Sequence, residues 1–251
     1  MPLKHLKNEK FAAVLCYPRY NQKEASKRIR QLQRLGVESL EFVGAKVAFN
    51  VPILGKGNVG LVVIAHVKTG KIAALKIRRV DADRKEMKHE ADMLTVANGL
   101  GVGPRLIKMT DDFLLTELIE GEHLPNWIEH LGEKKATNRV KEVLRDILEQ
   151  CWTMDKAGLD HGELSHAPKH IIVDASDKAH IVDFETASIN RRTSNVTSIC
   201  QYLFMQSQLA SIVNPRLGEI DQKALLDTLR IYKHRPSKHS FHKILETCML
   251  T

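Results

Sequence analysis

At 251 residues, 43% apolar and 27% charged, the chain has material for one sizeable domain or two lobes and falls among soluble, globular proteins. No apolar run approaches the roughly 20 residues that span a bilayer, and MPLKHLKNEK lacks a signal-peptide core, so a cytoplasmic protein without a membrane partner is expected. Cys16, Cys151, Cys200 and Cys248 are scattered without a CxxC pair, which argues against a disulfide framework or a zinc site.

The net charge of +8 is uneven: residues 1–50 hold ten Lys/Arg against four Glu, whereas residues 51–130 balance. Asn21 and Glu24 have capping-box spacing, and Ala25, Ile29, Leu32 and Leu35 recur at helical intervals before Gly36. The spacing predicts one amphipathic helix, with Lys23, Lys27, Arg28, Arg30 and Arg34 on its other face. That face is either a solvated surface or a phosphate-binding one, suited to RNA or a ribonucleoprotein. Residues 38–54 then turn strand-like.

At "GKGNVG", Gly55, Gly57 and Gly60 have the spacing GxGxxG, shared by dinucleotide folds and kinases. A dinucleotide fingerprint opens a helix, but Leu61 to Ala65 read as a strand, followed by a turn at "KTGK" and a return strand, "IAALKIRRV". A glycine hairpin of this kind can lie over nucleotide phosphates, with Lys76 on the next strand reaching them. The following helix offers Glu90 as the partner of Lys76, with Glu86 one turn away as the alternative. "FLLTELIEGEHL" reads as a buried strand leading into a glycine-containing connection, and Val140 to Ala157 as a helix with a strong core stripe that includes Trp152.

Further on, "LDHGELSHAPKHIIVD" places His161, Gly162, Glu163 and Leu164 ahead of the apolar Ile171, Ile172 and Val173, and "AHIVDFETAS" ends a strand at Asp183. With these landmarks in order, the chain from about Pro52 to about Phe204 resembles the protein-kinase-like superfamily. It is most similar to the small atypical RIO kinases and to the kinase subunit of the tRNA-threonylcarbamoylation complex. The resemblance implies an α+β, two-lobed kinase-like fold: a basic extension over 1–45, a small β-rich lobe with its helix C over 46–118, and a reduced helical lobe over 119–251. It implies ATP, held by Gly55, Gly57, Gly60, Val62, Lys76 and Glu90 and by backbone groups near Glu117 and Ile119. Mg²⁺ or Mn²⁺ would be bound at Asp183.

Two family letters differ. Glu163 stands where the family has its catalytic Asp, and Asp160 is the alternative base or a residue that orients the loop. The usual position of the metal-binding Asn falls on Pro168; with two residues inserted it falls on His170, whose imidazole suits softer divalent ions. The motif's glycine after Phe184 is Glu185, and no APE-like motif follows. The expected function is therefore an atypical, autophosphorylating Ser/Thr protein kinase with a short activation segment and a protein substrate. A nucleotide-dependent switch or ATPase acting on RNA or a ribonucleoprotein is the rival from another class. A small-molecule kinase is a third reading, with only 68 residues after Asp183 to build a substrate pocket.

Overall fold

The computed structural model describes residues 1–6, 9–131, 136–205, 208–218 and 220–251. The chain is an α+β protein with antiparallel sheets and a largely helical C-terminal part. It divides into two compact units, Met1–Thr95 with Pro104–Leu118, and Val96–Gly103 with Ile119–Thr251. Among the described residues no helix is long and apolar enough to cross a membrane.

The first unit is built on a six-stranded sheet. After α1 (Glu9–Leu15) and α2 (Gln22–Leu35) come β1 (Val37–Glu41), the small hairpin β2 (Lys46–Ala48) and β3 (Val51–Ile53), then β4 (Gly55–Lys56), β5 (Gly60–Val67) and β6 (Ile72–Arg78). α3 (Arg84–Gly99), β7 (Leu106–Met109) and β8 (Phe113–Glu117) follow, and α3 passes out of the unit after Thr95. The sheet order is β1-β5-β6-β8-β7, with β4 paired to β5.

Strand alternation divides its two faces. Leu61, Val63, Ala73, Leu75, Phe113 and Leu115 join one core with Leu6, Val14, Leu32 and Leu35 from the N-terminal segment. The opposite face carries Leu114, which packs on Met87 and Ala91 of α3. The first 45 residues thus share a core with the sheet that follows.

α2 forms where its pattern places it. The Asn21 side chain accepts the Glu24 N–H at 3.0 Å, and Gly36, at φ +81°, closes the helix in the left-handed conformation. One residue departs from the expected basic face, since Arg28 is fully buried. Its guanidinium donates to the Leu15 and Arg78 carbonyls, each at 2.5 Å, and to Asp112 Oδ1 at 3.1 Å, while Glu24 takes Nε at 2.9 Å. A buried cation survives because each of its three nitrogens finds an oxygen. Its main carboxylate partner lies 84 residues away, beyond any helical pattern.

The second unit continues with β9 (Gly121–His123), α4 (Leu124–His130), α5 (Ala136–Ala157), β10 (Ile171–Asp174), β11 (Ala179–Ile181), α6 (Asn195–Cys200), α7 (Gln208–Leu217), α8 (Gln222–His234) and α9 (Lys238–Thr247). Val140, Val143, Leu144, Ile147, Leu148 and Cys151 of α5 are fully buried at three- and four-residue spacing, and Trp152 stacks on Phe241 at 5.2 Å. The connection after β8 is more ordered than its sequence suggests. Gly121–His123 pairs with β10, giving the sheet β11-β10-β9. Gly121 has no room for a side chain, because a Cβ there would press into the Val173 carbonyl. All four cysteines are buried free thiols.

Candidate active site

Two clusters of the expected residues form, one in each unit. In the first, Gly55 pairs with Val62, Val62 with Lys76, and Lys76 with Leu114, so these four positions make one row across β4, β5, β6 and β8. Directly opposed residues share a face, and Leu114 marks it as the face on which α3 packs. Glu90 of α3 therefore meets the lysine: Lys76 Nζ lies 2.7 Å from Glu90 Oε2, and both side chains are largely buried. Glu86, the alternative partner, is exposed.

The hairpin between β4 and β5 closes with the Gly57 N–H donating to the Gly60 carbonyl at 2.8 Å. It is braced from the N-terminal segment, a contact that sequence reasoning missed. The Tyr17 ring carries Lys56 Nζ at 4.6 Å and the Arg79 guanidinium at 5.3 Å, each within cation–π range. No local pattern around Tyr17 announces this, since both partners lie tens of residues away. At the end of β8 the Glu117 N–H already donates to the Arg105 carbonyl at 2.8 Å, so that donor is spent within the sheet. Ile119, half-buried, begins the longer stretch of the second unit.

In the second unit Glu163, His170 and Asp183 converge, each offering a donor atom within 4.8 Å of the others. His170 Nε2 lies 2.9 Å from Glu163 Oε2 and its Nδ1 3.8 Å from Asp183 Oδ2. The imidazole is almost fully buried, whereas the two carboxylates reach solvent. Burial lowers the His170 pKa against the pull of Asp183 and Glu163. Behind it, His161 is pushed down to about 4, chiefly by burial and then by His170, and its Nε2 contacts the Val182 carbonyl at 3.1 Å.

Asp183 itself has φ +71°, left-handed backbone that a residue with a Cβ seldom adopts outside sites where the surroundings impose it. A short 3-10 turn, Leu164–His166, lies between Glu163 and His170 ahead of β10.

Asp160 belongs to a different arrangement. It is buried; Oδ2 accepts Arg191 Nε at 2.5 Å and Oδ1 accepts the Ser194 N–H at 2.8 Å. Beside it Asp155 accepts the Asn195 and Val196 N–H groups, and Asn195 Oδ1 accepts the His161 N–H at 2.8 Å. Asp160 and the Asn195 side chain therefore tie the start of α6 to the loop that carries Glu163, while Asp155 ties it to the end of α5. Gly162, at φ +93°, leaves space for Thr186 and Arg191, which a Cβ would strike. Arg191, like Asn195, was not singled out from the sequence, because its role depends on partners about 30 residues upstream.

The donor set fits a divalent ion. It comprises one imidazole and two carboxylates, and His170 Nδ1 is a buried polar atom without a hydrogen-bond partner among the described residues. Nitrogen in such a set suits Mn²⁺ and later first-row ions better than Mg²⁺, which prefers oxygen alone.

No family model matches the chain. It is similar to a protein of Methanocaldococcus jannaschii named uncharacterized protein MJ1211, with 27% identity over 119 residues that span 47% of this chain and 97% of that protein.

Proposed function

We propose that the protein is an ATP-dependent phosphotransferase of the two-lobed protein-kinase-like type, acting on a Ser or Thr hydroxyl of a protein, itself included. The observation that carries this reading is the Lys76–Glu90 pair at 2.7 Å, which lies on the sheet face shared by Gly55 and Val62. A buried carboxylate that holds a lysine ammonium beside a glycine hairpin supplies a fixed positive charge for nucleotide phosphates.

In this reading His170 and Asp183 would hold a divalent metal ion, which would supply charge neutralisation for the phosphates. Glu163 accepts the proton of the acceptor hydroxyl while that hydroxyl's oxygen bonds to the γ-phosphorus. The bond from that phosphorus to the bridging oxygen breaks, and ADP leaves. Asp160 keeps the loop in place, since both its oxygens are engaged.

The test is transfer of labelled phosphate from ATP to the protein and to a basic acceptor peptide, with Mg²⁺ or Mn²⁺, and with Asp183→Ala as control. Transfer that is lost in the variant and stronger with Mn²⁺ is expected. Nucleotide binding without transfer would favour the switch or ATPase reading, and unchanged nucleotide affinity in Lys76→Met would overturn the assignment of Lys76.

A further inference from the structure

The exposed cations of α2 do not project from a flat surface. Two adjoining hollows in the first unit, of about 330 and 850 Å³, run along the helix, and Lys27 and Arg30 line both. Arg34 extends the row into the smaller hollow, and Arg19, Tyr20 and Lys23 extend it into the larger. Positions 23, 27, 30 and 34 are separated by four, three and four residues. They therefore form one stripe, about 16 Å long at 1.5 Å of rise per residue. Lys23, Arg30 and Arg34 make no ion pair among the described residues, while Lys27 is shared with Asp112 at 3.5 Å and Glu24 at 3.8 Å. Three acidic groups also line the hollows, Glu24, which Arg28 engages, Asp83 in the larger and Asp111 in the smaller, so the cations of the row outnumber them. The buried Arg28 pins the helix beneath, so the row is held in place before any ligand arrives.

We infer that this groove binds the phosphate backbone of a single-stranded nucleic acid, with Tyr20 as a stacking platform for a base. The occupant follows from the chemistry. A linear file of cations inside a concavity tracks a single strand, whereas a duplex major groove receives a protruding helix. A lipid surface would need an apolar helix face to insert, but the apolar face of α2, with Ala25, Leu32 and Leu35, is buried in the core. An acidic protein partner would need an apolar centre, and among the described residues Tyr20 is the only large exposed apolar side chain along these hollows. The inference does not depend on phosphotransfer, because none of these residues belongs to either cluster described above.

The test is fluorescence anisotropy of the full chain with labelled single-stranded RNA, single-stranded DNA and duplex RNA of equal length, over a series of KCl concentrations. Binding of the single strands should weaken with a log–log salt slope of about −3 for four phosphate contacts. The exposed triple variant Lys23→Gln, Arg30→Gln and Arg34→Gln should lose at least tenfold in affinity and about two units of slope. The control triple Arg230→Gln, Lys233→Gln and Lys238→Gln should bind like the parent. Comparable binding of RNA and DNA supports backbone recognition, and a preference for RNA supports it while naming the source. A flat salt dependence, an unaffected groove variant, loss in the control triple, tighter duplex binding, or displacement by anionic vesicles or polyglutamate at matched charge would each overturn it.

Discussion

Gly60 lies against the stem of Lys76: a Cβ at position 60 would stand 2.9 Å from Lys76 Cγ and 2.9 Å from the Ile77 carbonyl oxygen. The third glycine of the hairpin is thus required by the lysine beneath it, whereas a Cβ at Gly57 would meet only the Gly60 oxygen at 3.6 Å, an ordinary contact. Gly60→Ala should displace the Lys76 side chain and, on the proposed function, weaken ATP binding roughly tenfold, about 1.4 kcal/mol. Gly57→Ala should be nearly neutral. Equilibrium titration of a fluorescent ATP analogue against both variants checks the order, and equal losses would refute it.

Lys76 and Glu90 should behave as a pair in stability as well as in binding. Removing the lysine alone, in Lys76→Met, leaves a buried carboxylate and should cost on the order of 3 kcal/mol. The double variant Lys76→Met with Glu90→Leu should recover most of that cost without recovering nucleotide affinity. Denaturant melts of the four-member cycle measure the coupling; additive single effects would show that the contact contributes nothing.

Glu163 and Asp160 separate by the property each controls. Glu163→Gln should leave the melting temperature within a degree or two, because partly exposed Glu163 supports little structure, and on the proposed function it should abolish phosphate transfer. Asp160→Asn should instead lower stability by about 1–3 kcal/mol, since it weakens the partners of Arg191 and Ser194. Transfer assays and thermal melts on both proteins decide, and a stable, inactive Asp160→Asn would reverse the two roles.

Acid should weaken the first unit through Asp112. Burial opposes its charge, but Arg28, Arg78 and Gln31 prevail and hold its pKa at about 2, below the ordinary 3.8. A carboxylate depressed on folding stabilises fully above its unfolded pKa and loses that contribution as pH falls through the folded one. The group therefore supplies on the order of 2 kcal/mol above pH 4 that disappears toward pH 2. Urea unfolding of the parent and Asp112→Asn between pH 2 and 6 should show a smaller gap at the acid end; parallel curves would exclude this source.

Much of this organisation is legible where the signal is local. The α2 cap, the glycine hairpin, the strand with Lys76 and the core stripe of α5 all follow from residues within a turn or two of one another. What escapes is long-range pairing. Glu86 and Glu90 differ by one helical turn, and the sequence leaves both open until α3 packs Met87 and Ala91 on Leu114 and turns Glu90 inward. Arg28 looks solvated by composition, yet its partners come from three separate segments. β9 has three exposed residues and no alternation, so only its ladder to β10 reveals it. His170 meets Glu163 and Asp183 across a loop whose path no spacing rule supplies.

The left-handed backbone at Asp183 gives the cluster around it a directional character under selection. Asparagine or glycine fits that conformation with less strain than aspartate, and glycine with least. A library at this one position, screened for thermal survival, should enrich glycine. The same library screened for metal binding should return aspartate. The two screens pull in opposite directions only where a carboxylate is kept for its chemistry against the preference of the fold, so their divergence would measure how far this position serves activity rather than architecture.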